Sequence, residues 1–228
     1  MAARTALVEL RRYVLRPGER ETLIRLFEAD LVAPQEEAGM SVLGQFRDLD
    51  RPDAFVWLRG FDDPASRGAS LRAFYGGPAW ARHRDAANAT MLAWDDVLLL
   101  RPVAAGALPV SAPAGVGGLV VVTLYRPDDL DGFAMLMADG GDAALAGLGS
   151  ARVAAYASAD VVNAYPALPV REDVRAYVRV ARFASEADHA THVRRLGSAA
   201  SSDRVLAALR SAAVEELRLV PTEQSAFR

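Results

Sequence analysis

The sequence predicts an α+β fold of two tandem ferredoxin-like βαββαβ units that pack sheet to sheet around a barrel-like interior. Three observations predict it. Segments of two-residue alternation and segments of helical spacing follow one another in the order β-α-β-β-α-β. The same order returns after a stretch rich in Ala, Gly and Pro. Matching words also stand at matching places: FVWLRGF closes the third strand of the first half and YVRVARF that of the second, and DDVLLLRP is echoed by VEELRLVPT.

Residues 5–15 alternate, with Leu7, Glu9, Arg11, Tyr13 and Leu15 on one side and Val8, Leu10, Arg12 and Val14 on the other. Arg16-Pro17-Gly18-Glu19 breaks this strand and starts a helix with acids early. Leu23, Ile24, Phe27 and Leu31 then recur at helical spacing, and Gly39 ends the element. Residues 40–47 form a second strand, Asp50-Arg51-Pro52-Asp53 a turn, and residues 54–61 a third strand. Helical stretches follow at 64–74 and 78–91, separated by Gly76-Gly77, before a fourth strand at 96–101. Residues 1–103 thus form a first unit and residues 104–118 an Ala/Gly/Pro linker. GVGGL in that linker precedes a strand instead of opening a helix, so it is no dinucleotide fingerprint.

Residues 119–228 form a second, diverged unit. Its strand at 119–125 is followed by Arg126-Pro127-Asp128, which repeats the break at Arg16-Pro17. A helix at 129–137, a strand at 151–157, a Pro-bounded turn at 165–169 and a strand at 174–183 come next. Helices at 186–196 and 203–212 precede the closing strand.

Composition excludes several kinds of chemistry. At 228 residues, 52% hydrophobic and 24% charged, the chain has the make-up of a soluble globular protein with a sizeable core. It has no cysteine, hence no disulfide, thiolate nucleophile or thiolate metal site. It also has no lysine, which excludes an internal Schiff base and a P-loop lysine. Apart from His, the cationic side chains are all planar, permanently charged guanidiniums. A net charge of −3 with no basic block argues against nucleic-acid binding. No apolar run reaches the roughly 18 residues of a membrane span, and the first residues lack a signal-peptide hydrophobic region, so a cytoplasmic location is expected.

Strand parity in the first half separates two faces. Val8, Leu10 and Val14, with Val42, Gly44 and Phe46 and with Val56, Leu58 and Gly60, form a small apolar set assigned to the helix-covered side. Glu9, Arg11 and Tyr13, then Leu43, Gln45 and Arg47, then Phe55, Trp57, Arg59 and Phe61 form the opposite set. Its aromatics would be badly exposed in water, so this face is expected to meet the second unit across the interior. Its polar members must then be paired or line a cavity. Arg59 either pairs with Glu9 or faces the anionic group of a ligand.

The stretches VELRRYVLRPG, GQFRDLDRPDAFVWLRGF, AFYGGPAWARHRDAANATM and DDVLLLRP resemble the NIPSNAP family, within the dimeric α+β barrel superfamily, over residues 5–102. NAYPALPVRED, YVRVARF and EELRLVPT carry the resemblance more faintly in the second half. It implies two ferredoxin-like units back to back, supplied here by one chain: a monomer with an internal pseudo-dimer, or a homodimer if units trade partners. The superfamily includes cofactor-free monooxygenases, small cyclases and isomerases, haem-binding enzymes and stress-response proteins, so the resemblance implies a fold more than a reaction.

Candidate chemistry gathers first at FYGGPAWARHRDAAN, residues 74–88, where Gly76-Gly77-Pro78 starts a helix. Trp80 and His83 fall along one of its faces and Arg84 and Asn88 on the next. An imidazole with an ordinary pKa of roughly 6.5 suits proton transfer, although His83 capping a neighbouring turn is the plainer reading. From the sheet, Tyr13 and Gln45 are candidates to hold a substrate oxygen, Trp57 to stack on a ring, and Arg59 to stabilise a developing oxyanion. Arg11, Tyr75 and, from the second half, Arg179 complete the candidate substrate contacts, Arg179 sharing a face with Arg175 that is either cavity wall or wet surface. Glu186, His189 and His192 have metal-ligand spacing, but SEADHATHVRR is polar and reads as solvent-facing, so no metal or haem is expected. The resulting expectation is a cofactor-independent enzyme of a bacterial biosynthetic pathway, with His83, Arg59 and Tyr13 catalytic. It would cyclise, isomerise or oxygenate an aromatic or polyketide-like substrate. The alternative is a non-catalytic ligand-binding or stress-response module in which Glu9 and Arg59 neutralise each other.

Overall fold

The computed structural model describes residues 5–103 and 118–227, so the expected linker, Gly118 apart, lies outside the described residues. The strands of the first half are β1 (Leu7–Leu15), β2 (Ser41–Asp48), β3 (Ala54–Phe61) and β4 (Met91–Pro102). Those of the second are β5 (Leu119–Tyr125), β6 (Arg152–Ser158), β7 (Tyr177–Phe183) and β8 (Ala213–Pro221). All pair antiparallel, and they close into one barrel in the order β1-β3-β2-β8-β5-β7-β6-β4. Each half contributes the split ferredoxin-like order, β4-β1-β3-β2 and β8-β5-β7-β6. Short seams join the halves: Phe46, Arg47 and Asp48 pair with Pro221, Val220 and Leu219, and Leu100, Arg101 and Pro102 pair with Ser158, Ala157 and Tyr156.

The helices pack outside the barrel. In the first half α1 (Arg20–Leu26) runs through a π-helical turn, Phe27–Leu31, into α2 (Val32–Glu37). The second half repeats this with α5 (Leu130–Leu136), the turn Met137–Gly141 and α6 (Asp142–Gly147), an extension past residue 137 that the apolar spacing did not announce. Both composite helices end alike. Gly39 and Gly149 adopt φ of +88° and +100°, a left-handed conformation that favours glycine. Met40 N–H then donates to Gln35 O and Ser150 N–H to Leu145 O, the closure of a Schellman motif. The remaining helices are α3 (Pro64–Tyr75), α4 (Pro78–Thr90), α7 (Glu186–Ala199) and α8 (Arg204–Ala212). Side chains cap three of them at the N-terminus: Asp63 accepts from Ala65 and Ser66, Ser185 from Asp188, and Asp203 from Val205 and Leu206. No helix among the described residues is long and apolar enough to cross a membrane.

The two faces of the first sheet are the reverse of the expectation. Val8, Leu10, Phe46, Val56 and Leu58 fill the barrel interior, packing with Val120, Val178, Leu217 and other aliphatics of the second half. Tyr13, Phe55, Trp57 and Phe61 lie under the helices with Leu23, Phe27 and Leu71. Val42 and Leu43 keep their expected sides because a register shift between Val42 and Gly44 inverts the parity of the rest of β2. The physical reason is room. An eight-stranded barrel leaves an interior just wide enough for side chains, which compact aliphatics fill. Long aromatic and charged side chains fit the helix–sheet layer, where polar tips find partners on the helices.

Candidate functional site

Each half therefore has a layer between sheet and helices, and the two layers are chemically different. In the first, one carboxylate sits among three guanidiniums. Glu9 Oε2 accepts from Arg59 Nε at 2.6 Å and Arg11 Nη1 at 2.8 Å, and Glu9 Oε1 accepts from Arg67 Nε at 2.6 Å. All four residues are buried. Burial by itself raises the Glu9 pKa, but Arg59, Arg11 and Arg67 outweigh it and hold the carboxyl far below the usual range. Gln35, from α2, accepts from Arg59 Nη1 at 3.0 Å, and Arg11 Nε donates to the Tyr13 hydroxyl at 3.0 Å. The second half reaches across to close this layer. Asn163, in the loop between β6 and β7, accepts from Arg67 Nη1 at 2.9 Å, and Tyr165 stacks on Tyr75 with ring centres 5.9 Å apart.

Beside this cluster lies a cavity of about 30 Å³ lined by Tyr13, Gln35, Trp57, Tyr75 and Trp80 among others. That space is too small for an aromatic substrate. Tyr13, Trp57, Arg59, Arg11, Tyr75 and Trp80 are thus brought to one layer, with Gln45 on the same face opposite Trp57. The layer is the one beneath the helices, not the inter-sheet interior where these residues were expected. Arg59 is held by Glu9 as an internal ion pair. His83 is not brought to them: its Nδ1 lies 3.8 Å from Asp30 Oδ2 on the outer part of α4. Arg84 is exposed beside Asp85, and Asn88 is exposed.

The second layer encloses a cavity of about 70 Å³ lined by Thr123, Tyr125, Arg179, His189, His192 and Glu216 among others. The two histidines are buried on the inner face of α7, against the ring of Phe183. This corrects the reading of SEADHATHVRR as solvent-facing at its two histidines, while most of its other residues are exposed as expected. Glu186 does point outward and pairs with Arg218 at 3.0 Å. His189, His192 and Leu196 recur at helical spacing, a signal that the polar residues around them masked. Among the described residues no group of three or more His, Asp or Glu is placed to hold a metal ion.

His192 Nδ1 lies 3.2 Å from Leu148 O. A carbonyl can only accept, so Nδ1 carries the proton and Nε2 keeps its lone pair. Burial lowers the His192 pKa, and the neighbouring His189 adds to this, favouring the neutral ring. His189 Nε2 is 3.0 Å from Glu216 Oε1 but off the line of a hydrogen bond, and it has no hydrogen-bond partner among the described residues. Burial pushes the Tyr125 phenol up to about 12 against the pull of Arg179, so it stays protonated. Arg179 is anchored on Asp142 at 2.8 Å and on the Ser150 hydroxyl and carbonyl at 2.8 and 2.6 Å. The layer thus combines a neutral imidazole base, a protonated phenol and a fixed cation around one space.

No family model and no curated protein matches the chain. Solved structures do. A candidate monooxygenase from Lactobacillus acidophilus superposes with a TM-score of 0.57 at 12% identity, covering 95% of this chain and 94% of its own. A candidate monooxygenase from Fusobacterium nucleatum gives 0.60 at 9% identity, covering 97% and 94%. NIPSNAP proteins are also among the structures that resemble it. An uncharacterized NIPSNAP-like domain protein from Burkholderia xenovorans matches at 23% identity over 46% of this chain and 90% of its own, with a TM-score of 0.42. At the identities of the two full-length matches the likeness is one of fold.

Proposed function

We propose that the protein is a small-molecule enzyme that moves a proton in the second-layer cavity. The observation that carries this reading is the fixed tautomer of His192: a buried neutral imidazole with a free Nε2 lone pair, lining a cavity with the protonated Tyr125. The substrate class is a small enolisable carbonyl compound or a phenol. His192 Nε2 takes the acidic proton, the substrate becomes an enolate or phenolate, and Tyr125 and the Arg179 charge stabilise the oxyanion. Loss of that proton is a first step common to isomerisation, cyclisation and oxygenation by dioxygen. The names of the two full-length structural matches agree with the last of these. In this reading His192 and Tyr125 take the roles that the sequence suggested for His83 and Tyr13. Among the described residues the strands close into a barrel with no edge strand left over for another chain to extend, which supports the single chain as the working unit.

A second reading, ligand binding without turnover, draws on the cavity's size. About 70 Å³ is less than half of the roughly 150 Å³ cavity that admits benzene, so a larger substrate must project past Arg210 and Ala213 at the mouth. One experiment separates the two. The protein is incubated in D₂O with a panel of small β-dicarbonyl compounds and phenols, and deuterium incorporation at carbon is followed by NMR. Catalysed exchange that falls about 10²- to 10⁴-fold in a folded His192→Gln variant supports the enzyme. Saturable binding without exchange favours the binding module, and exchange unchanged in His192→Gln removes the assigned base.

A further inference from the structure

One end of the barrel interior finishes in charge. Val8 and Leu10 of β1 belong to the aliphatic core, and Arg12 follows them on the same face. Its guanidinium is buried and reaches two other strands: Nη2 donates to Asp96 Oδ1 of β4 at 2.9 Å and Nη1 to Glu215 of β8. Asp96 also lies 3.4 Å from Arg171, and Glu215 lies 3.6 Å from Arg51. Beyond this network the strands turn apolar again. Arg12 stands opposite Val56 and Val14 opposite Ala54, so these four share one face of the β1–β3 pair. They line a cleft of about 290 Å³ together with Asp96 and the turn at residues 50–53. Val14 is 51% exposed, so the cleft presents hydrocarbon to solvent. Its volume is about twice the roughly 150 Å³ that admits benzene, which leaves room for a ring with a short side chain.

The pairing of its charged residues decides the sign of a ligand. Both cations that line the cleft are already held by carboxylates: Arg12 by Asp96 and Glu215, and Arg51 by Asp48 at 2.9 Å. Two of the three lining acids are held by cations: Asp96 by Arg12, and Asp50 by Arg218, whose Nε donates to it at 2.9 Å. Asp53 is the exception. It is half-buried and, among the described residues, has no cationic partner. Gly18 N–H donates to its Oδ1 at 2.9 Å, which steadies the carboxylate and leaves Oδ2 to accept from a ligand. Hydrocarbon walls beside one uncompensated carboxylate suit a cation that carries an apolar body.

We propose that this cleft binds a small organic ammonium ion, with its charged end on Asp53 and its hydrocarbon against Val14, Pro52, Ala54 and Val56. The ammonium group supplies the cation that Asp53 lacks, and the hydrocarbon covers Val14. An anion of the same shape would meet only guanidiniums that carboxylates already hold. The cleft shares no lining residue with the second-layer cavity, so this site stands apart from the proton transfer proposed there.

The test uses the full chain, isotopically labelled, and three probes of one shape: phenethylammonium, phenethyl alcohol and phenylacetate. Each is titrated at neutral pH and constant ionic strength, which keeps general screening fixed, and backbone amide shifts are followed by NMR. The ammonium ion is expected to bind saturably and to move the amides of Val14, Asp53 and Ala54. It should bind about 5- to 10-fold more tightly than the alcohol, with the carboxylate weakest. Asp53→Asn keeps an oxygen for Gly18 N–H and is expected to bind the ammonium ion no better than the alcohol. Val14→Gln, at an exposed position, is expected to weaken both. Shifts confined to other parts of the chain, affinities indifferent to charge, a preference for ammonium that survives in Asp53→Asn, or full binding in Val14→Gln overturns the proposal. If Asp53→Asn fails to fold, the probe series and Val14→Gln decide.

Discussion

Arg179 holds in the second half the place that Trp57 holds in the first. The register sets Trp57 opposite Arg11 and Arg179 opposite Thr123, at equivalent points of the two sheets. One exchange of an indole for a guanidinium goes with a rearranged layer around it. Where Glu9 binds three arginines, Val121 leaves the sheet apolar, and the cavity grows from about 30 to about 70 Å³ with two histidines on its wall.

Glu9→Gln should be among the most damaging single substitutions. It removes the one negative charge among three buried guanidiniums, and breaking a buried pair by deleting one partner costs about 3–5 kcal/mol. Urea unfolding at neutral pH measures this. The acid limb gives a second readout. The folded-state pKa of Glu9 is depressed, so its contribution is complete above the unfolded value of about 4.3 and is lost as pH falls below that. Glu9→Gln should lose this part of the acid sensitivity.

His192 should make the protein less stable in mild acid. Its folded-state pKa lies below the unfolded value of about 6.5, so in the window below that value the unfolded chain binds the extra proton. Stability is full above the window and falls as pH drops through it. Unfolding free energies at pH 7.5 and 5.5 should differ less in His192→Gln than in wild type. An equal difference would place His192 in an environment other than the one described.

Phe227 lies beyond the last strand yet belongs to the barrel core, with its ring centre 6.4 Å from that of Phe46. Phe227→Ala should cost about 3–5 kcal/mol, the usual effect of emptying a buried phenylalanine site. Trp94→Ala, at an exposed position of β4, should stay within about 0.5 kcal/mol of wild type. Chemical denaturation of the pair checks both.

Gly44→Ala should destabilise by about 1–3 kcal/mol through overpacking. A Cβ at this position would stand 2.7 Å from Cζ of Phe46, whose ring is fixed in the barrel core. A double variant with Phe46→Leu should recover part of the loss, and thermal unfolding of the single and double variants measures the recovery.

The order of strands and helices was legible because alternation, helical spacing and breaks at Arg16-Pro17 and Arg126-Pro127 are local properties. Parity along a strand is local too, and it correctly grouped Glu9, Arg11, Tyr13, Trp57 and Arg59. Which group faces the helices is decided by volume across the whole barrel, and no single strand carries that information. The Glu9–Arg59 pair was foreseeable from two strands, but its partners Arg67 and Gln35 come from helices whose polar residues look like solvated surface in sequence. The histidine layer was hidden for the same reason. His189 and His192 are flanked by exposed polar neighbours, and the one clue was their spacing with Leu196.

The seams that close the ring are three residue pairs each, and both are made within one polypeptide. In an assembly of two identical subunits, every substitution would land twice, and a charged cluster on one side would demand its copy on the other. Joining the halves covalently lifts that constraint. Each side can drift toward its own task while the other keeps the framework standing, which is how a densely ionic compartment and a roomier imidazole-lined one come to flank the same barrel.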